Sequence, residues 1–201
     1  IAIGNWAETA DNYKGKQVRY FVEPKYKKDA MAIFGHTPKM IEFFSNYTGV
    51  EYPWKKFDQV VCREFVSGAM ENTTAVVHSE GLQDKDNDME DYISHELFHH
   101  WFGDLVTCES WANLPLNESF ATMGECLWID HKYGKDEGDY HRLLDLQAYL
   151  DEAQRLGLMV MMGLWVQHER HGFDYDNEAK VKMQLDNFRK VVMELKDHPA
   201  L

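Results

Sequence analysis

The apolar positions of this 201-residue chain change their period part-way along, and the change divides it into two kinds of structure. Gln17 to Val22 (QVRYFV) is β-branched and aromatic enough for a strand, and Pro24 closes it. Asp29 to Asn46 predicts a helix, with Ile33, Met40, Ile41, Phe43 and Phe44 on its buried side; Gly49 and Pro53 break the pattern. Asp58 to Val66 and Thr73 to Val77 predict two further strands, separated by Gly68-Ala69-Met70-Glu71-Asn72, and polar Glu80 to Asp88 predicts a loop. From Met89 the period becomes helical. One helix runs to about Phe102 and stops at Gly103, a second runs from about Pro115 to Tyr133 and stops at Gly134, and a third covers Asp139 to Leu156. A last, highly polar helix from Asn177 to His198 keeps one apolar stripe: Val181, Leu185, Phe188, Val192 and Leu195. The layout is α+β, a small mixed β-sheet in the N-terminal part followed by a mostly helical part.

Composition narrows the classes of function. Hydrophobic residues make up 44% and charged residues 27%, ordinary values for a globular chain long enough for one sizeable core. The formal charge of -13 disfavours nucleic acid or an anionic membrane surface as partner, and is compatible with a cationic ligand such as a free peptide amine. The longest apolar stretch, Leu158 to Val166, is too short for membrane insertion. No signal peptide opens the chain, which begins as an excised domain would. Cys62, Cys108 and Cys126 are widely spaced and odd in number, so buried thiols are expected rather than a disulfide framework or a cysteine metal site. Neither oligomeric state nor compartment can be read from these features.

The chemistry concentrates in the first long helix, at His95-Glu96-Leu97-Phe98-His99. Residues i and i+4 share a helix face, so both imidazoles can reach one metal ion. Glu96 is rotated off that face but stays near enough to act as base toward a metal-activated water, while Leu97 and Phe98 anchor the core side. An isolated HExxH also describes two satisfied histidines on an amphipathic helix. A catalytic zinc needs a third protein ligand, and Glu118 on the next helix supplies it at HExxH-x18-E spacing. The expected site is one zinc ion per chain on His95, His99 and Glu118. Glu125 lies two turns after Glu118 and can accept a hydrogen bond from the second nitrogen of a ligand histidine. His100 must point away from the shared face, and His36, His78, His131, His141, His168, His171 and His198 lack ligand spacing.

These residues resemble peptidase family M1, the gluzincin group of zinc aminopeptidases with a thermolysin-like catalytic domain. The resemblance rests on His95 to Thr107 (HELFHHWFGDLVT), on Trp111 to Ala121 (WANLPLNESFA), and upstream on Gly68 to Asn72 (GAMEN). It extends more weakly from the N-terminus to about residue 156. It implies that Glu96 takes a proton from water and later delivers it to the departing amine. It implies that Glu71 pairs with the free α-ammonium of a short peptide, and that Gly68 and Ala69 offer backbone groups to the extended substrate. It also implies an oxyanion-stabilising tyrosine, for which Tyr175 is the candidate, although Asn177-Glu178 replaces the family's Lys-Gly.

The whole chain is thus read as a single metallopeptidase domain, with residues 157–201 a divergent helical segment. Full-length family members carry flanking domains that this sequence lacks, and the polar outer face of the last helix suits a closing element of an isolated domain, natural or engineered. The expected activity is removal of the first residue from short peptides. A zinc endopeptidase indifferent to the free amine, and a zinc-binding scaffold with little turnover, are the alternatives.

Overall fold

The computed structural model describes residues 2–84, 89–159 and 177–199, arranged as two compact units, Ile1–Gly138 and Asp139–Leu201. The first unit is built on a five-stranded sheet of order β1-β2-β3-β5-β4. Strands β1 (Ala7–Tyr13) and β2 (Lys16–Val22) form an antiparallel hairpin. Its turn, Lys14-Gly15, has positive φ at both residues, the conformation that matches the right-handed twist of paired strands. β1 had not been expected. Glu8, Asp11 and Asn12 lower its strand propensity, and it holds because every second residue faces inward at the sheet edge.

Strand β3 (Lys56–Cys62) runs parallel to β2, which requires a crossover between them. Two helices fill it, α1 (Ala30–Phe34) and α2 (Thr37–Thr48), where the sequence suggested one. The break falls at Gly35-His36, because Pro38 is tolerated only in the first turn of a helix and so starts a new one. β5 (Ala75–Ser79) is parallel to β3, and the two-residue β4 (Ala69–Met70) pairs antiparallel with β5 at the sheet edge. The strand expected at 58–66 ends at Cys62, and the one expected at 73–77 is shifted to 75–79. Short 3-10 turns occupy Pro24–Tyr26, Glu80–Gln83 and Trp111–Leu116.

Helix α3 (Glu90–Phe98) packs its Ile93, Leu97 and Phe98 into the core with Tyr20, Phe34, Phe44 and Phe57. It ends four residues earlier than expected, tightening through His100 N–H to Leu97 C=O and Trp101 N–H to Phe98 C=O, both i to i−3 bonds. Helix α4 (Glu118–Tyr133) lies against α3. The buried polar groups of this core are satisfied in a chain: His78 Nε2 donates to Gln59 Oε1 (3.0 Å), Gln59 Nε2 to Thr37 Oγ1 (2.9 Å), and Thr37 Oγ1 to the Phe34 carbonyl (2.7 Å). Burial drives the His78 pKa down to about 3, so its ring is neutral in the fold.

Helix α5 (Lys135–Arg155) leads from the first unit into the second, where α6 (Glu178–Leu195) follows. In the second unit Leu150, Ala153 and Leu195 are buried, and His198 Nε2 meets Asp151 Oδ1 at 2.9 Å. The apolar stripe of α6 is buried at Leu195 but exposed at Leu185 and Val192. All three cysteines are only half-buried, not the buried thiols expected. Among the described residues no helix is long and apolar enough to cross a membrane.

Candidate metal centre

Helices α3 and α4 bring His95, His99 and Glu118 together, with one ligand atom of each within 4.8 Å of the others. His95 Nε2 and His99 Nε2 are 3.1 Å apart, and each lies 3.6 Å from Glu118 Oε2. Zinc bonds of about 2.0–2.1 Å at tetrahedral angles hold ligand atoms roughly 3.3 Å apart, so this triangle has the right size. The hydrogen bonds behind it fix both tautomers. His95 Nδ1 donates to Glu125 Oε1, and His99 Nδ1 donates to the Phe102 carbonyl at 3.0 Å. Each Nε2 therefore presents a lone pair toward the other and toward a carboxylate oxygen. Three acceptors converging in this way could hold a cation between them.

Close packing of the two helices makes the triangle possible. A Cβ on Gly124 of α4 would stand 2.8 Å from both Cβ and Cγ of Phe98, the α3 residue between the two histidines. Only glycine permits that approach. Gly103, at φ +140°, similarly lets the chain turn back within reach of His99, since a Cβ there would meet His99 Nδ1 at 2.9 Å. Neither glycine stood out in the sequence beyond the helix stop at Gly103. At the start of α4 the Asn117 side chain accepts the Cys108 N–H at 3.0 Å, anchoring the loop that delivers Glu118.

The surroundings are acidic. Burial opposes charge on His95, but Glu125, Glu96 and Glu118 outweigh it and raise its pKa. Glu96 is only 7% exposed, and its Oε2 has no hydrogen-bond partner. Burial pushes its pKa up to about 8, with Glu71, Glu118 and Glu125 adding to the rise and His95 opposing it. Asp104 rises to about 6 through burial and the charge of Glu71, against a hydrogen bond from Thr73. Five carboxylates around two histidines make a field that favours a cation.

Glu71 comes from the sheet, near enough for its charge to raise the pKa values of Glu96 and Asp104. It follows β4 in the turn of the β4–β5 hairpin, which closes through Ala75 N–H to Asn72 C=O at 2.8 Å. Gly68 faces inward, its carbonyl accepting Ser79 N–H at 2.9 Å. Antiparallel bonding alternates, so the N–H and C=O of Ala69 face the free edge of the sheet. Tyr175 lies outside the described residues, as does the apolar stretch beyond Met159.

Comparison with known proteins gives the same picture. Residues 32–156, more than half of the chain, match the Peptidase family M1 domain. The chain is 32% identical over 132 residues to glutamyl aminopeptidase of Sus scrofa, covering 61% of this chain and 14% of that protein. It is 41% identical over 114 residues to aminopeptidase 2, mitochondrial, of Saccharomyces cerevisiae, covering 52% and 12%. It is 32% identical over 153 residues to probable aminopeptidase 1 of Saccharolobus solfataricus, covering 72% and 20%. The chain therefore spans a fifth or less of the length of these relatives. On the domain match over more than half of its length, the chain belongs to peptidase family M1.

Proposed function

We propose that this chain is the catalytic part of a zinc aminopeptidase that removes the N-terminal residue of short peptides. The observation that carries the reading is the convergence of His95 Nε2, His99 Nε2 and Glu118 Oε2 beside the buried, unpartnered carboxylate of Glu96. Bound there, a zinc ion would polarise the scissile carbonyl and acidify a water molecule. Glu96 accepts a proton from the attacking water and holds it at a carboxylate oxygen. As the water oxygen bonds to the carbonyl carbon and the C–N bond breaks, Glu96 passes that proton to the departing nitrogen. Glu125 keeps the His95 ring oriented with a proton on Nδ1, so that Nε2 is the nitrogen offered to a metal.

Glu71 supplies the exopeptidase character. Its charge acts on Glu96, which supports the reading that an α-ammonium bound to Glu71 would bring the first peptide bond toward the metal. Ala69 offers its outward-facing backbone to the extended substrate as an added strand; the Gly68 carbonyl is already engaged. Tyr175 is the proposed donor to the oxyanion.

The test is hydrolysis of an aminoacyl chromogenic amide and of its N-acetylated counterpart by the zinc-loaded chain. The free amine should be cut at least tenfold faster, and Glu71→Gln should remove most of that difference, as expected for one charge-assisted contact of about 1.5–3 kcal/mol. Equal cleavage of both substrates would point to an endopeptidase. Zinc binding without cleavage of either would point to a scaffold.

A further inference from the structure

The turn that carries Glu71 is poorly held by its own sheet, since β4 is only Ala69–Met70 and lies at the edge. Besides β3, where Asp58 N–H and Lys56 Nζ each reach the Thr74 carbonyl at 3.0 Å, it is anchored from the metal-binding helix. Thr74 donates its N–H to His100 Nε2 at 3.0 Å, and His100 Nδ1 donates to the Glu96 carbonyl at 3.1 Å. The ring is fully buried and is held edge-on by Phe57 at 4.9 Å between centroids. Both nitrogens are used, and only the neutral tautomer protonated at Nδ1 satisfies both bonds. Thr74 has φ +65°, a left-handed conformation that a β-branched residue adopts only when its surroundings impose it. Its own carbonyl accepts Asp58 N–H from β3 at 3.0 Å, so the strained residue is gripped on both sides. One turn beyond His100, Asp104 Oδ2 lies 3.8 Å from His100 Nε2, with the Thr73 side chain near enough to lower the Asp104 pKa.

We propose that His100, assisted by Asp104, is a positioning residue that fixes Glu71 at a set distance from the His95/His99/Glu118 cluster and so establishes the preference for a free amino terminus. It touches neither substrate nor metal. Because one imidazole bridges the backbone of Glu96 to the backbone of Thr74, the base and the Glu71 turn move as one piece. A packing role alone would affect stability and leave ligand preference untouched. The proposal rests on the aminopeptidase reading of Glu71.

The probes are an amino-acid hydroxamate, which engages metal and Glu71 together, and its N-acetylated form, which engages the metal alone. Affinities are measured by calorimetry on zinc-loaded protein, with zinc content determined in parallel. The unmodified chain should bind the free amine at least tenfold tighter. His100→Leu, of similar volume, should keep its zinc and its affinity for the acetylated probe while the amine advantage falls to about threefold or less. His100→Gln, whose amide both donates and accepts, should restore most of it. Thr73→Val, on the exposed side of the turn, should lose part of the advantage and decides the matter if His100→Leu does not fold. An amine advantage unchanged in these variants, or both probes weakened in parallel, overturns the proposal. No amine advantage in the unmodified chain overturns it together with the role of Glu71.

Discussion

Gly124→Ala is a one-methyl change that sets two effects against each other. The added Cβ would meet Phe98 Cβ, Cγ and Cδ1 at 2.8, 2.8 and 2.9 Å. Carbon atoms sit comfortably about 3.5–4.0 Å apart, so roughly 0.7–1 Å must open between α3 and α4. Phe98 cannot swing aside, because the Phe44 and Phe102 rings pack against it in tilted contacts, with centroids at 4.6 and 5.2 Å. Overpacking of this kind costs about 1–3 kcal/mol, while replacing a helical glycine by alanine contributes about 1 kcal/mol in the other direction. The net loss of stability should be roughly 0–2 kcal/mol. The metal site should suffer more. Phe98 lies between His95 and His99, and Gly124 lies between Glu118 and Glu125, so the opening separates ligands whose bond lengths tolerate only about 0.2 Å. Zinc affinity, measured by competition with a chelator, should fall on the order of tenfold or more, alongside a small drop in the urea midpoint. Unchanged zinc affinity with stability raised by about 1 kcal/mol would refute the close packing, since helix propensity alone would then explain the variant.

Two further outcomes follow from specific contacts. Glu125→Gln weakens the hold on His95 Nδ1 without touching a ligand atom, and should lower zinc affinity about 10–100-fold in the same competition assay. His78 is neutral in the fold and protonates readily when unfolded, so the unfolded chain binds the extra proton. Its contribution is fully present above about pH 6.5 and is lost as pH falls toward 3, with a slope of up to ~1.4 kcal/mol per pH unit. His78→Gln should flatten the urea midpoint against pH between about 6 and 4; an unaltered slope would show that other groups govern acid unfolding.

The helices with strong period, α3, α4 and α5, were legible in the sequence, and so were β2 and the approximate places of β3 and β5. Their apolar faces are local properties. The edges of the sheet were not legible, because β1 is polar and β4 is two residues long; pairing partners distant in sequence define both. Among the site residues, ligand spacing and helix faces were enough to bring His95, His99, Glu118 and Glu125 together. Gly124 carries no such signal, since its importance depends on a phenylalanine on another helix. His100 was set aside because it must point away from the face that His95 and His99 share. Its bond to Thr74 arises only when the hairpin folds onto α3.

The most direct test of the zinc-hydrolase account combines metal analysis with turnover of an aminoacyl chromogenic amide, on the unmodified chain and on Glu96→Gln. The substitution leaves His95, His99 and Glu118 in place and removes the only carboxylate assigned to proton transfer. The account predicts one zinc per chain in both proteins, with turnover reduced at least 100-fold in Glu96→Gln. Turnover unchanged by the substitution, or an unmodified chain that binds no zinc, would contradict it.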